Sequence, residues 1–188
     1  LYMYQLIRWS GENGVSAYSI IMYFAFIFCS VFIGYSIGIA PVISFHYGAK
    51  NHTELHSLYV KSLCIIGSAS LLMVAIAQLF TNEIAGFFVS YDPALQALSA
   101  HALSIYMIFL LFAGVNTLGS ALFTALNNGP VSSLIALSRT VIFEAGSVML
   151  LPYLLGIEGI WWSVVVGEFI ATCLTVFLLL YYRKRYKY

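Results

Sequence analysis

The chain has 188 residues, of which 62% are hydrophobic and 8% are charged, whereas about a quarter of the positions in an ordinary soluble domain are charged. This composition excludes a soluble globular domain and indicates a protein of the lipid bilayer. Eight Lys and Arg against seven Asp and Glu give a net charge of +1, so the charge gives no indication of a nucleic-acid or acidic partner, and we expect no nucleic acid among the partners.

The chain starts at Leu1 with the end of an apolar segment, and no charged region or cleavage site of a signal peptide is visible there. We therefore expect the back part of a longer protein. Cys29, Cys64 and Cys173 lie inside apolar runs, where a thiol behaves as a small hydrophobic group. We expect no disulfide and no metal at these positions.

Turn residues divide the apolar sequence into one partial and five complete spans, each long enough for the roughly 20 residues that cross the hydrocarbon core. The predicted spans cover residues 1–9 (partial), 15–45, 54–80, 93–126, 130–155 and 159–182. Thr53 is the predicted N-cap of the third span, and Asp92-Pro93 opens the fourth. A short amphipathic piece at 84–89 lies between them. The predicted fold class is an all-α, polytopic membrane helix bundle that forms one transmembrane lobe over residues 1–188.

The distribution of Lys and Arg orients these spans, because the excess of positive charge stays in the cytoplasm. Lys50 and Lys61 follow the second span, and the tail after the sixth is basic over 183–187. The alternate loops are acidic. The sequence thus predicts a multi-pass protein of the cell (inner) membrane, with loop 48–58 and the C-terminus in the cytoplasm.

Small and polar residues recur at three- and four-residue steps along the second span and therefore share one helix face. These residues are Ser16, Ser19, Tyr23, Ser30, Gly34, Gly38, Pro41 and Ser44. Because small residues allow helices to approach closely in lipid, the stripe is predicted to be a packing seam. A cavity wall is the alternative. Similar stripes run through Asn116 on the fourth span and Thr140 on the fifth.

Ionisable groups within the spans are the stronger signal, since a charge at the bilayer centre costs about 2.5–3.5 kcal/mol even on insertion scales. Counted at about 1.5 Å per residue from the outer helix ends, His101 lies about 12 Å deep, Glu168 about 14 Å and Glu144 about 16 Å. Arg139 is deeper and, on an α-helix, about 140° from Glu144. Three helices would thus bring titratable groups to one level.

A carboxylate and an imidazole in one cleft can exchange a proton near neutral pH, as a proton-coupled carrier requires. Buried structural hydrogen bonds are the alternative explanation for these groups, and for Arg139 a structural role is favoured. The candidate cavity or coupling residues are Glu144, Glu168, His101, Arg139, Asn116 and Thr140.

We find no phosphate-binding glycine loop, no Ser, His and Asp arrangement and no helix-borne metal motif, so we expect neither an enzyme nor a resident cofactor. His46, His52 and His56 bracket one loop, and we interpret them as ordinary loop histidines.

The order and spacing of several motifs resemble a known family. The motifs are GENGVSAYSIIMY, IGYSIGIAPVISFHYGAKN, SALFTALNNG, Arg139 and LLPYLLGIEGIWWS. In this order they resemble the C-terminal half of a bacterial multidrug and toxic compound extrusion (MATE) transporter. The resemblance implies a twelve-helix protein of two six-helix lobes that exports cationic or amphipathic compounds in exchange for sodium or protons. It also implies that the N-terminal lobe is the partner of this chain.

The same resemblance transfers no cation ligand, because the coupling acids of the family lie in the first, seventh and tenth helices. The equivalent of the tenth helix, 93–126, contains no Asp or Glu. A lipid-linked oligosaccharide flippase of the same superfamily is the nearest alternative function. A structural or receptor-like membrane subunit is the alternative from another class.

Overall fold

The computed structural model describes all 188 residues and contains helices and turns but no strand. Five helical segments are long and apolar enough to cross a membrane. These segments are Tyr2–Gly48, His52–Leu79, Pro93–Ala125, Gly129–Leu155 and Ile157–Tyr186. The predicted all-α membrane bundle with five long helices is therefore confirmed.

The first helix, α1 (Tyr2–Gly48), consists of two helical parts that meet at Gly11, where φ is 62° and ψ is −148°. Glycine has no Cβ and adopts this positive φ without strain, so the chain bends here between the two helical parts. The part before Gly11 corresponds to the predicted partial span, and the part after it to the first complete span.

Three further helices and a turn precede the most central helix. They are α2 (His52–Leu79), α3 (Thr81–Val89), α4 (Pro93–Tyr106) and a 3-10 turn at Met107–Phe109. The Asp92 side chain accepts from the backbone amides of Ala94 and Leu95, as expected of an N-cap. The predicted cap of α2 at Thr53 is wrong, because Asn51 accepts from the amide of Glu54 and the helix begins two residues earlier than predicted.

The remaining elements are α5 (Leu110–Ala125), α6 (Gly129–Leu137), a π-helical segment (Ser138–Glu144), α7 (Ala145–Leu155) and α8 (Ile157–Tyr186). α5 is the central helix and packs against α1, α2, α6 and α8. Gly119 permits close contact with Thr175 of α8, and Leu110 and Phe123 are fully buried. Apolar side chains on the outside of the bundle, such as Phe26 and Leu154, are exposed, as a lipid-facing surface requires.

The small-residue stripe of α1 is not a packing seam within this chain. Ser30, Gly34, Gly38 and Pro41 are exposed, and no atom would meet a Cβ added at Gly34 or Gly38. The face that α1 buries carries larger side chains, including Phe32 and Ile43. Helical spacing shows which residues share a face but not which face has a neighbour. The alternative interpretation, a cavity wall, applies to Ser19 and Tyr23 in the N-terminal part of the stripe, which line a cavity.

Candidate functional site

A cavity of about 730 Å³ lies between α1, α4, the π-helical segment and α8. Most of its lining is apolar, and aromatic rings form a continuous wall. Tyr18 lies edge-on to Tyr106, with ring centroids 6.1 Å apart, and Tyr106 lies 5.4 Å from Phe109. Ser19 and Tyr23 of the α1 stripe also line the cavity. The space and its rings suit a flat, amphipathic molecule.

Three ionisable groups lie at the same cavity: Arg139, Glu144 and Glu168. Arg139 and Glu144 lie within the π-helical segment Ser138–Glu144. In a π turn the hydrogen bond runs from residue i to i+5, so residues five apart approach the same face. The separation of about 140° expected for an α-helix is thereby lost, which explains how both side chains reach one wall.

Arg139 and Glu168 form a buried ion pair. Nε of Arg139 donates to Oε1 of Glu168 at 2.7 Å, and Nη2 lies 2.6 Å from the same oxygen. The side chain of Glu168 is only 3% exposed, and that of Arg139 is 25% exposed. Buried charges require this kind of pairing, since an isolated carboxylate would lose its hydration without compensation.

Two side chains of α5 make hydrogen bonds with the ion pair. Asn116 donates from Nδ2 to Oε2 of Glu168 at 2.7 Å and to the backbone carbonyl of Glu168 at 3.1 Å. Arg139 donates from Nη1 to Oγ1 of Thr117 at 3.2 Å. Both carboxylate oxygens of Glu168 thus have donors, and three helical elements are joined through one side chain.

Glu144, in contrast, makes no ion pair or side-chain hydrogen bond and is half-buried at the cavity wall. Its backbone lies against Gly167 of α8. A Cβ at Gly167 would approach the Glu144 Cα to 2.9 Å and its backbone nitrogen to 3.1 Å. Only glycine allows this contact, so the residue before Glu168 sets the distance between α8 and the π-helical segment.

A second cavity of about 240 Å³ lies on the other side of Arg139, next to Ile33 and Ile37 of α1. Its wall is rich in hydroxyl groups. Ser132 bonds to both Ser120 and Thr124, at 2.9 and 2.7 Å. Because Arg139 lines both cavities, the Arg139–Glu168 pair lies between them.

The structure brings four of the predicted site residues together, namely Glu144, Glu168, Arg139 and Asn116. His101 does not join them and is 55% exposed. Its Nε2 lies 2.8 Å from Oε1 of Glu158 in the first turn of α8. The expected common level is wrong for His101, because a depth counted from each helix's own end ignores the offset between helices, and the third turn of α4 meets the first turn of α8. Thr140 is exposed and lines neither cavity.

Thr117 belongs to the polar stripe through Asn116 but is not among the predicted site residues, and neither are Gly167 and the residues of the aromatic wall. Thr117 follows Asn116 directly, and Gly167 precedes Glu168, so adjacency to a buried polar residue was the available signal. The rings of Tyr18 and Tyr106 lie on different helices, and no local pattern connects them.

Comparison with known proteins identifies the family. The MatE family model matches residues 1–147, which is most of the chain. The chain belongs to the MatE family. It is a multi-pass membrane protein, and the similarity to MATE transporters expected from the motifs is confirmed.

Individual relatives of this MatE chain are distant and longer. Multidrug export protein MepA of Staphylococcus haemolyticus is 25% identical over 159 residues, which make up 82% of this chain and 34% of MepA. The chain therefore spans about a third of the length of this curated relative.

Solved MATE structures match nearly the whole chain. A MATE family transporter in an outward-facing conformation is 24% identical, with a TM-score of 0.86 over 98% of this chain and 42% of the transporter. The inward-facing conformation of a MATE family transporter is 23% identical, with a TM-score of 0.86 over 96% of this chain and 41% of the transporter. VcmN of Vibrio cholerae in its bent form is 21% identical, with a TM-score of 0.88 over 98% of this chain and 42% of VcmN. The helix arrangement of this lobe is common to all three.

Proposed function

We propose that this chain is the C-terminal lobe of a secondary-active multidrug efflux antiporter, which exports cationic or amphipathic compounds in exchange for sodium or protons. The observation that carries the proposal is the cavity of about 730 Å³, with an aromatic wall and the carboxylate of Glu144 free of any protein partner. Membership of the MatE family and the likeness to MepA support it.

The cavity has the chemistry that an amphipathic cation needs. Aromatic faces attract a cation within about 6 Å of the ring, and their area shields the apolar part of the molecule. The half-buried carboxylate of Glu144 attracts the positive charge more strongly than it would in bulk water. Glu144 can hold a substrate cation, a sodium ion or a proton, but one at a time. Competition for a single carboxylate is sufficient to couple export to ion entry.

Alternating access by this lobe requires the rest of the transporter. We propose that the N-terminal lobe closes the open side of the cavity and that the two lobes rock as rigid bodies around it. The equal similarity of this lobe to inward- and outward-facing structures supports this motion, because its helix arrangement is shared by both.

A flippase is less well supported. A pyrophosphate headgroup needs free guanidinium or ammonium groups, preferably several. Arg139 is the one basic residue that lines the cavity, and its Nε and Nη1 groups already donate to Glu168 and Thr117. No observation specifically favours a structural or receptor-like subunit.

Replacement of the free carboxylate tests the proposal. In the full-length protein that carries this lobe, Glu144→Gln should reduce ethidium export and its dependence on pH, because the amide keeps the shape but cannot release a proton. Glu158→Gln is the matched control, since Glu158 is exposed and lies outside the cavity. Normal export by a folded Glu144→Gln protein at every pH would contradict the proposed coupling role.

The orientation is part of the same proposal. We place loop 48–58 and the basic tail in the cytoplasm of a cell (inner) membrane protein, on the basis of the charge distribution. In a background without Cys29, Cys64 and Cys173, Asn82→Cys should react with an impermeant reagent in intact cells, and Asn51→Cys should not. The opposite pattern would reverse the orientation.

A further inference from the structure

The charged groups that line the larger cavity do not cancel. One guanidinium, Arg139, faces two carboxylates, Glu144 and Glu168, and the other polar lining groups are hydroxyls and a thiol that are neutral at pH 7. The wall therefore carries a net charge of one negative. Arg139 determines this net charge, since the wall would carry two negative charges without it.

Arg139 cannot leave this position freely. Its contacts with Oε1 of Glu168 are 2.6 and 2.7 Å long, and Asn116 holds the other carboxylate oxygen. Movement of the guanidinium away would leave Glu168 buried and unpaired, which is strongly unfavourable. Glu168 is thus compensated, and of the two carboxylates that line this cavity only Glu144 is available to a ligand.

The π-helical segment places the compensating charge next to the available one. Residues 139 and 144 are separated by one π turn and face the same cavity. A ligand with one positive charge can place that charge beside the single negative charge of Glu144. A ligand with a second positive charge brings that charge close to the partly buried guanidinium, where like charges repel more strongly than in bulk water.

We propose that Arg139 is a specificity-determining residue, which tunes the cavity to monocations and rejects dications. This inference rests on the proposed function and names the charge of its preferred substrates. Arg139 acts through the field it adds and through Glu168, so its removal should change the ratio of two affinities more than either affinity alone.

Ethidium and propidium are suitable probes, because they share one aromatic ring system and carry one and two positive charges. Their dissociation constants are measured by fluorescence with the purified full-length protein in nanodiscs. In Arg139→Gln the propidium-to-ethidium ratio of dissociation constants should fall about tenfold, the factor that corresponds to 1.4 kcal/mol. In Glu168→Gln, which removes one negative charge, the ratio should rise.

The double variant Arg139→Gln/Glu168→Gln restores one net negative charge and should restore the original ratio. It also protects the test against misfolding of Arg139→Gln, in which Glu168 is buried and unpaired. Glu168→Gln and the double variant differ only by the charge of Arg139, so the ratio must be lower in the double variant. Arg8→Gln removes the same charge from an exposed site outside the cavity and should leave the ratio unchanged.

The outcomes separate the two proposals. If the native protein binds neither dye, the proposed function is wrong. If it binds ethidium and the ratio is the same within twofold in Glu168→Gln and the double variant, the role of Arg139 in charge selection is wrong while the transport function stands. A ratio that follows the net charge through the series supports both.

Discussion

The Arg139–Glu168 pair and the His101–Glu158 pair each connect α8 to another helical element, yet only the first is buried. The side chain of Glu168 is 3% exposed, whereas His101 and Glu158 are 55% and 44% exposed. The two contacts are similarly short, at 2.6 and 2.8 Å. Distance alone therefore says little about an ion pair, and the medium around it determines what its loss does.

The buried pair should show the largest effect. Arg139→Ala leaves the carboxylate of Glu168 without its partner in a region with almost no water, and breaking such a pair typically destabilises by about 3–5 kcal/mol. We expect a sharp loss of folded protein and of thermal stability in detergent, measured by size-exclusion chromatography and a melting curve.

The double variant Arg139→Met/Glu168→Leu provides the control, because it replaces both charges by apolar side chains. Such replacements are often neutral or stabilising, so its melting temperature should lie well above that of Arg139→Ala. An equally low value for both variants would show that packing at these positions, and not the unpaired charge, controls the stability.

The buried pair was only partly predictable. Intramembrane charge identifies Glu168 and Arg139 as residues that need an explanation, and the sequence favours a structural role for Arg139 without naming its partner. Pairing across 29 positions depends on how α8 packs against the π-helical segment. An i to i+5 turn leaves no distinctive local pattern, so the 140° separation of Arg139 and Glu144 was the natural expectation.

The exposed pair was not predictable from the sequence either, since His101 is expected at the cavity. The depth of His101 along its own helix predicts a place at the cavity, but the offset between α4 and α8 depends on tertiary packing and brings His101 to Glu158. The number and type of the long helices, in contrast, follow from composition and turn residues, because the bilayer allows few alternatives to a helix for an apolar run of this length.

Asn116 sharpens the contrast between the two pairs, since the exposed one has no such supporting amide. Asn116→Ala removes the donor that satisfies Oε2 of Glu168, and hydrogen bonds to charged groups contribute about 1.5–3 kcal/mol. We expect a loss of about 2–3 kcal/mol, less than for Arg139→Ala, measured as unfolding in increasing SDS. Asn13→Ala is a matched control at an exposed position, and an equal effect there would contradict the assignment.

Gly167 tests whether the close approach of α8 positions the buried pair. Gly167→Ala places a methyl group 2.9 Å from the Glu144 Cα, and overpacking of this kind costs about 1–3 kcal/mol. We expect a loss of about 2 kcal/mol by the same measurement. Gly34→Ala is the control, because open space surrounds that position and alanine favours a helix over glycine by about 1 kcal/mol. Stabilisation by both substitutions would show that α8 can move away from the π-helical segment at no cost.

The exposed pair should show the smallest effect. His101→Ala, Glu158→Ala and the double variant form a cycle whose coupling energy we expect at about 0.2–1 kcal/mol, the range of solvent-exposed ion pairs. The coupling should shrink further in 1 M salt, where the screening length is about 3 Å, whereas the stability lost in Arg139→Ala should change little because salt does not reach Glu168. A coupling energy above about 2 kcal/mol that persists in salt would show that the bilayer or another part of the protein covers His101 and Glu158, and the contrast between an exposed and a buried pair would then disappear.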